Sequence, residues 1–172
     1  MPWLAADPRA EAVEAARDIV LRRLDRSAVP RAALASLLER KGVDPSVAAE
    51  VLDRLEAAGV VDDQAYAATL ARTRFAEKGV ARRAVAEELR RKGVEEEAVS
   101  CALEQITSED EEAAALRLAR RRAATMTALP AAVRRRRLSA YLGRKGYGHE
   151  LTLRAVALAV PEAGDESAYE SA

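Results

Sequence analysis

The side chains of this 172-residue chain best suited to act on another molecule are its arginines. They come in runs: Arg120-Arg121-Arg122, Arg134-Arg135-Arg136-Arg137 and Arg144-Lys145. Between residues 113 and 160, eleven cations stand against one carboxylate, Glu150. The whole chain is neutral, with 28 basic and 28 acidic groups, so the surplus is local. Such a surplus is the electrostatic footprint of a polyanionic partner, either a phosphate backbone or an acidic protein surface. Four successive arginines on a helix step round by about 100° each, so one must approach the core and snorkel outward while the others form a stripe. A second set, Arg82, Arg83, Arg90, Arg91 and Lys92, is interleaved with carboxylates and is less one-sided. The plain alternative is a solvated face in an arginine-rich protein.

Catalytic chemistry is hard to assemble from what remains. There is no GxxxxGK[ST] phosphate loop and no GxSxG elbow. One cysteine, Cys101, excludes an intrachain disulfide, and one histidine, His149, leaves too few ligands for a Cys/His zinc site. Cys101 falls among apolar residues and reads as a small core side chain; His149 reads as an exposed or capping residue. The pair Asp62-Asp63 suggests acid/base or metal work, but its place before a helix makes Asp63 an N-cap. No enzyme, cofactor or metal is expected. The longest apolar runs fall far short of the roughly 20 residues that span a bilayer, and the first residues lack the pattern of a signal peptide. A reduced, cytoplasmic, monomeric protein is the expectation.

The elements that must carry these arginines are helical. Aromatic residues are only 3% of the chain, too few to pack a pleated sheet, whereas Ala, Leu, Arg and Glu are abundant. Three segments repeat: Leu38-Glu39-Arg40-Lys41-Gly42-Val43, Leu89-Arg90-Arg91-Lys92-Gly93-Val94 and Leu142-Gly143-Arg144-Lys145-Gly146-Tyr147. Their glycines, Gly42, Gly93 and Gly146, lie 51 and 53 residues apart. Flanking apolar residues recur at the same offsets, as at Leu34, Val85 and Leu138. Each segment reads as a helix end: cations sit by the last carbonyls, glycine closes the helix, and the next apolar residue folds back. Asp44-Pro45 then starts another helix in the first copy, and Ser108 is the expected N-cap of the helix opening the third. The reading is an all-α protein of three tandem three-helix repeats, about nine helices, forming an elongated, curved array. The repeats are expected at residues 9–60, 61–107 and 108–160, after a short segment 1–8 and before an acidic, disordered tail at 161–172.

In order along the chain, these motifs resemble the RecX family. The stretch Gly59-Val60-Val61-Asp62-Asp63-Gln64-Ala65-Tyr66-Ala67 matches the family's Gly, two apolar residues and Asp-Asp pair leading to an aromatic-Ala. Arg82-Arg83, then Glu88-Leu89-Arg90-Arg91-Lys92-Gly93, and Leu142-Gly143-Arg144-Lys145-Gly146-Tyr147 match its later signatures. At Pro30-Arg31-Ala32-Ala33-Leu34 the chain lacks the family's frequent Ser-x-x-Glu-Leu. The resemblance implies three three-helix repeats, no catalytic residues, and a regulator that binds RecA on single-stranded DNA. It implies restraint of ATP hydrolysis, strand exchange and the co-protease activity behind the SOS response. Two other readings stay open: a helix-turn-helix protein that binds DNA directly, and a helical scaffold for some other acidic protein. DNA contact is expected to be weak if RecA is the partner.

Overall fold

The structure, a computed structural model, describes residues 7–162. Among them lie nine α-helices and no strand: α1 Pro8–Leu24, α2 Arg31–Arg40, α3 Pro45–Ala57, α4 Asp63–Arg72, α5 Arg82–Arg91, α6 Glu96–Glu104, α7 Ser108–Ala124, α8 Ala131–Arg144 and α9 His149–Ala159. The all-helical class and the helix number agree with the sequence expectation. α4 continues into a π-helical turn, Thr73–Glu77, that apolar spacing does not signal. None of these helices is long and apolar enough to cross a membrane. Most of the expected N-terminal segment and acidic tail lies outside the described residues.

Helix starts follow local chemistry. Asp7 accepts the Arg9 N–H at 3.0 Å and Asp44 the Ser46 N–H at 2.8 Å, each followed by proline at the first helical position. The Ser46 hydroxyl also donates to Asp44, and these bonds hold the Asp44 carboxyl below its ordinary value. α7 begins one residue earlier than the sequence suggested: Thr107, in extended backbone, is the N-cap, and Ser108 is already helical. Thr107 and Asp110 exchange bonds as a capping box, with Asp110 N–H to Thr107 Oγ1 at 3.0 Å and Thr107 N–H to Asp110 Oδ2 at 2.9 Å. Likewise Asp62, not Asp63, caps α4, accepting the Ala65 N–H at 2.9 Å.

All three Arg-Lys-Gly corners are Schellman caps. The N–H groups of Val43, Val94 and Tyr147 reach back to Leu38, Leu89 and Leu142 carbonyls at 3.1, 3.2 and 3.2 Å. The glycine N–H groups bond the carbonyls three residues back, and all three glycines have positive φ: 74°, 79° and 92°. A side chain at any of them is strained by backbone conformation alone. At two of them space is short as well. A Cβ on Gly93 would lie 2.6 Å from Ala32 Cβ, and one on Gly146 2.5 Å from Ala84 Cβ, whereas nothing lies within 4 Å at Gly42.

The chain forms two compact units. The first comprises residues up to Thr69 together with Glu88–Ala102; the second comprises Leu70–Glu87 and Leu103 onward. In the first, α1, α2 and α3 pack on one another around Val13, Val20, Leu34, Leu38, Val51, Leu52 and Leu55. In the second, α7, α8 and α9 pack around Leu138, Leu142 and Val156, with a run of buried alanines at 114, 115, 119 and 123 on α7. Alanine lets backbones approach closely and buries little apolar area per residue, so this core draws on Met126 and Tyr147 for bulk. Burial pushes the Tyr147 phenol up to about 12, and the nearby Glu111 carboxylate adds to the shift.

One joint recurs in each unit. Pro30 precedes α2 and has no side-chain oxygen to cap it. Asp63, 32 residues after Arg31, fills the gap by accepting the Arg31 N–H at 2.8 Å. In the second unit Glu111 accepts the Arg82 N–H, the first of α5, at 2.9 Å. Arg31 and Arg82 both lie eleven residues before their corner glycines. A carboxylate 32 or 29 residues further along the chain therefore caps α2 and α5.

Candidate functional site

The expected arginines divide into tied and open sets. Arg83 pairs with Glu87 at 3.1 Å, and Arg90 grips Glu96 with two bonds of 2.8 and 2.6 Å. The second bond pair holds the Glu96 carboxyl below its ordinary value. Arg82 is half-buried at the head of α5, while Arg91 and Lys92 are exposed. The remaining cations belong to α7, α8 and the third corner.

The run 134–137 sends two arginines towards the protein interior rather than the single one expected. Arg134 is half-buried, its Nε enclosed with no acceptor among the described residues. Arg135 is half-buried too, its Nη1 directed at the Val160 carbonyl 3.5 Å away. Arg136 and Arg137 are exposed, as are Arg120, Arg121, Arg122 and Arg144. The four arginines thus lie half inward and half outward, because α8 is packed along two sides by α7 and α9.

Two adjoining hollows gather the outward set. The larger, about 510 Å³, has Arg117, Arg121 and Arg122 on one wall and Lys78 and Lys145 on others, with Glu77 the one carboxylate in its lining. The smaller, about 390 Å³, is lined by Arg122, Arg137 and Arg144 with no carboxylate. Arg122, Thr125 and Tyr141 belong to both. The Tyr141 ring gathers two of the cations: the Arg122 guanidinium lies 5.7 Å from its centroid and the Lys145 ammonium 5.8 Å. Lys145 also donates from Nζ to the Lys78 carbonyl at 2.6 Å, and its own carbonyl accepts the Ala81 N–H at 2.8 Å. The third corner is thereby fixed by backbone and side chain together.

Arg120 and Arg136 line neither hollow. Arg117, Lys78 and Tyr141 do, and sequence reasoning did not single them out. The signal was present. Arg137, Tyr141 and Lys145 stand at i, i+4 and i+8, as do Arg117, Arg121 and Thr125, which places each trio on one helix face. Reading runs of adjacent arginines obscured that spacing.

Elsewhere the chemistry is structural. Cys101 is exposed, not a core residue: α6 turns Ala98, Val99 and Ala102 inward and leaves position 101 to the side. His149 is the exposed first residue of α9. Asp63 serves the α2 cap described above, and no group of His, Cys, Asp or Glu among the described residues is arranged to hold a metal ion.

Known proteins place this architecture. Residues 62–103 match the family model described as RecX, second three-helix domain, and residues 109–156 that described as RecX, third three-helix domain. The chain is 43% identical over 141 residues to the regulatory protein RecX of Thermobifida fusca, covering 82% of this chain and 76% of that one. It is 37% identical over 163 residues to the regulatory protein RecX of Streptomyces coelicolor, covering 95% and 87%. Among solved structures, RecX from Lactobacillus salivarius superposes with a TM-score of 0.78 at 16% identity, over 87% of this chain and 97% of that one. A second crystal structure of a regulatory protein RecX gives a TM-score of 0.73 at 22% identity, over 86% and 72%. Identity over most of its length with such relatives, together with the two domain matches, shows that this chain belongs to the RecX family of regulatory proteins.

Proposed function

We propose that this protein binds RecA assembled on single-stranded DNA and restrains its ATP hydrolysis, strand exchange and co-protease activity. The observation that carries the reading is the open cationic surface of the second unit, where seven basic groups line two hollows that hold one carboxylate. Such a surface suits a partner of dense negative charge, which a nucleoprotein filament presents in its phosphates and acidic patches. The RecX resemblance supplies the identity of that filament, and the relatives' description as regulatory proteins supports a binding role over an enzymatic one.

Three-helix repeats at residues 9–60, 61–107 and 108–160 fit this role, since a tandem array can engage more than one filament subunit. Restraint then requires only that the array bind one filament state more tightly than another. A cytoplasmic monomer is the form proposed to act. The test is a titration of the protein into RecA on single-stranded DNA, following ATP hydrolysis, with naked duplex DNA as a control. Saturable inhibition with weak duplex binding is the expected result. Tight duplex binding with base preference and no effect on RecA would favour the direct DNA-binding reading, to which the basic corner of the third repeat also lends itself.

A further inference from the structure

We propose that the paired hollows around Tyr141 are a binding groove for the phosphodiester backbone of single-stranded nucleic acid. The inference rests on the reading above and names what this surface touches within a nucleoprotein partner. Its walls hold Arg117, Arg121 and Arg122 from α7, and Arg137, Arg144 and Lys145 from the end of α8 and the third corner.

Four features favour a phosphate strand over an acidic protein face. The cations line concavities rather than a ridge and come from two packed helices, α7 and α8, which focuses their field into the enclosed space. Counting Lys78, five of the seven lining cations are arginines, whose planar forks match phosphate oxygens with paired bonds. They repeat along the groove. Arg117 and Arg121 are separated by one helical turn, roughly 6 Å of rise, and Arg137 and Arg144 by two turns, roughly 10 Å. A repeating anion can meet successive members of such a series, whereas protein carboxylates come irregularly and bring apolar neighbours that need apolar cover. The fourth feature is the shared Tyr141 ring. Tyr141 holds Arg122 and Lys145 against its ring, at 5.7 and 5.8 Å, and so keeps two flexible cations gathered before any ligand arrives. With two cations already against it, the ring acts as a positioning residue rather than a stacking platform. Recognition should therefore be sequence-tolerant, because phosphate contacts carry no base information.

The test compares two double variants that remove equal charge from the same two arginine runs. R121Q/R137Q takes one cation from each hollow. R120Q/R136Q takes the adjacent residues, which are exposed and line neither hollow. The probe is a fluorescent 20-nucleotide thymidine oligomer, titrated at several salt concentrations. The groove double should lose about tenfold or more in affinity and flatten the salt slope by one to two powers, while the other stays within about threefold of the parent. Y141L should weaken binding and Y141F restore it, since the ring and not the hydroxyl gathers the cations.

Equal losses in the two doubles would overturn the groove, leaving only a net-charge effect. Polyglutamate competing as well as the oligomer would overturn the choice of phosphate. Binding to RecA without DNA separates this inference from the reading it rests on. A groove double that loses the oligomer yet still binds RecA supports both. Retained oligomer binding with lost RecA binding sinks the groove alone. Oligomer binding by a parent protein that leaves RecA untouched sinks the proposed function alone.

Discussion

Two hollows of nearly equal size, about 540 Å³ in the first unit and about 510 Å³ in the second, carry opposite charge. Glu56, Asp62, Asp63, Glu95 and Glu97 line the first, with Arg31 its single cation. That arginine is already committed, donating to Asp53 at 2.6 Å and Glu56 at 2.7 Å. The second is lined by arginines and lysines against Glu77 alone. Each hollow adjoins an Arg-Lys-Gly corner of the same backbone design, at Gly93 in one and Lys145 in the other. Repetition of a helical unit therefore fixed the geometry twice, while the side chains drawn around it diverged. In the first unit the hollow is acidic, five carboxylates to one engaged arginine; in the second it is cationic, with one carboxylate. Overall neutrality, 28 groups of each sign, conceals that division.

The largest expected effect concerns the corners. G93A and G146A each force a left-handed backbone and a methyl contact of 2.6 or 2.5 Å against Ala32 or Ala84. Each should cost roughly 3 kcal/mol, strain plus overpacking, whereas G42A, with open space around it, should cost about 1 kcal/mol. Urea denaturation measures all three. Equal losses would mean that close approach at the second and third corners contributes nothing beyond glycine's conformational freedom.

A smaller effect tests whether the two units share their joint. D63A removes the acceptor for Arg31 N–H and E111A the acceptor for Arg82 N–H. Each should destabilise by about 1 kcal/mol, the usual worth of a helix cap. If D63A is silent while E111A is not, the joint is not a repeated device.

The smallest effect is on acid stability and belongs to both units. Asp44 and Glu96 in the first and Asp110 in the second are held below their ordinary values by hydrogen bonds from Ser46, Arg90 and Thr107. As pH falls the unfolded chain takes up these protons first, so their contribution is full above about pH 5 and drains as pH drops through the depressed folded values. D44N/D110N should flatten the decline of the thermal midpoint below pH 4, and an unaltered decline would place acid lability elsewhere.

The helices, the repeat and the glycine corners were legible in the sequence because each is local. Schellman caps, proline starts and apolar spacing operate within a few residues. The Asp63–Arg31 and Glu111–Arg82 bonds were not legible, since they join residues 32 and 29 apart and need the packed units to exist first. Cys101 misled because an apolar neighbourhood in sequence need not be one face of a helix. The cationic surplus near residues 113–160 was plain, but its sorting was not. Only packing of α8 decides that Arg134 and Arg135 are half-buried while Arg137 lines a groove.

The division between an acidic hollow in the first unit and cationic ones in the second is tested most directly by RecA ATPase on single-stranded DNA. Three proteins are titrated at matched salt: the parent, R121Q/R137Q from the second unit, and R40Q/K41Q from the exposed first corner, which lines neither cationic hollow. The account predicts inhibition by the parent, unchanged inhibition by the first-corner variant, and a half-inhibitory concentration raised about tenfold for the groove variant. Equal inhibition by all three, or a greater loss from the first corner than from the groove, would contradict it.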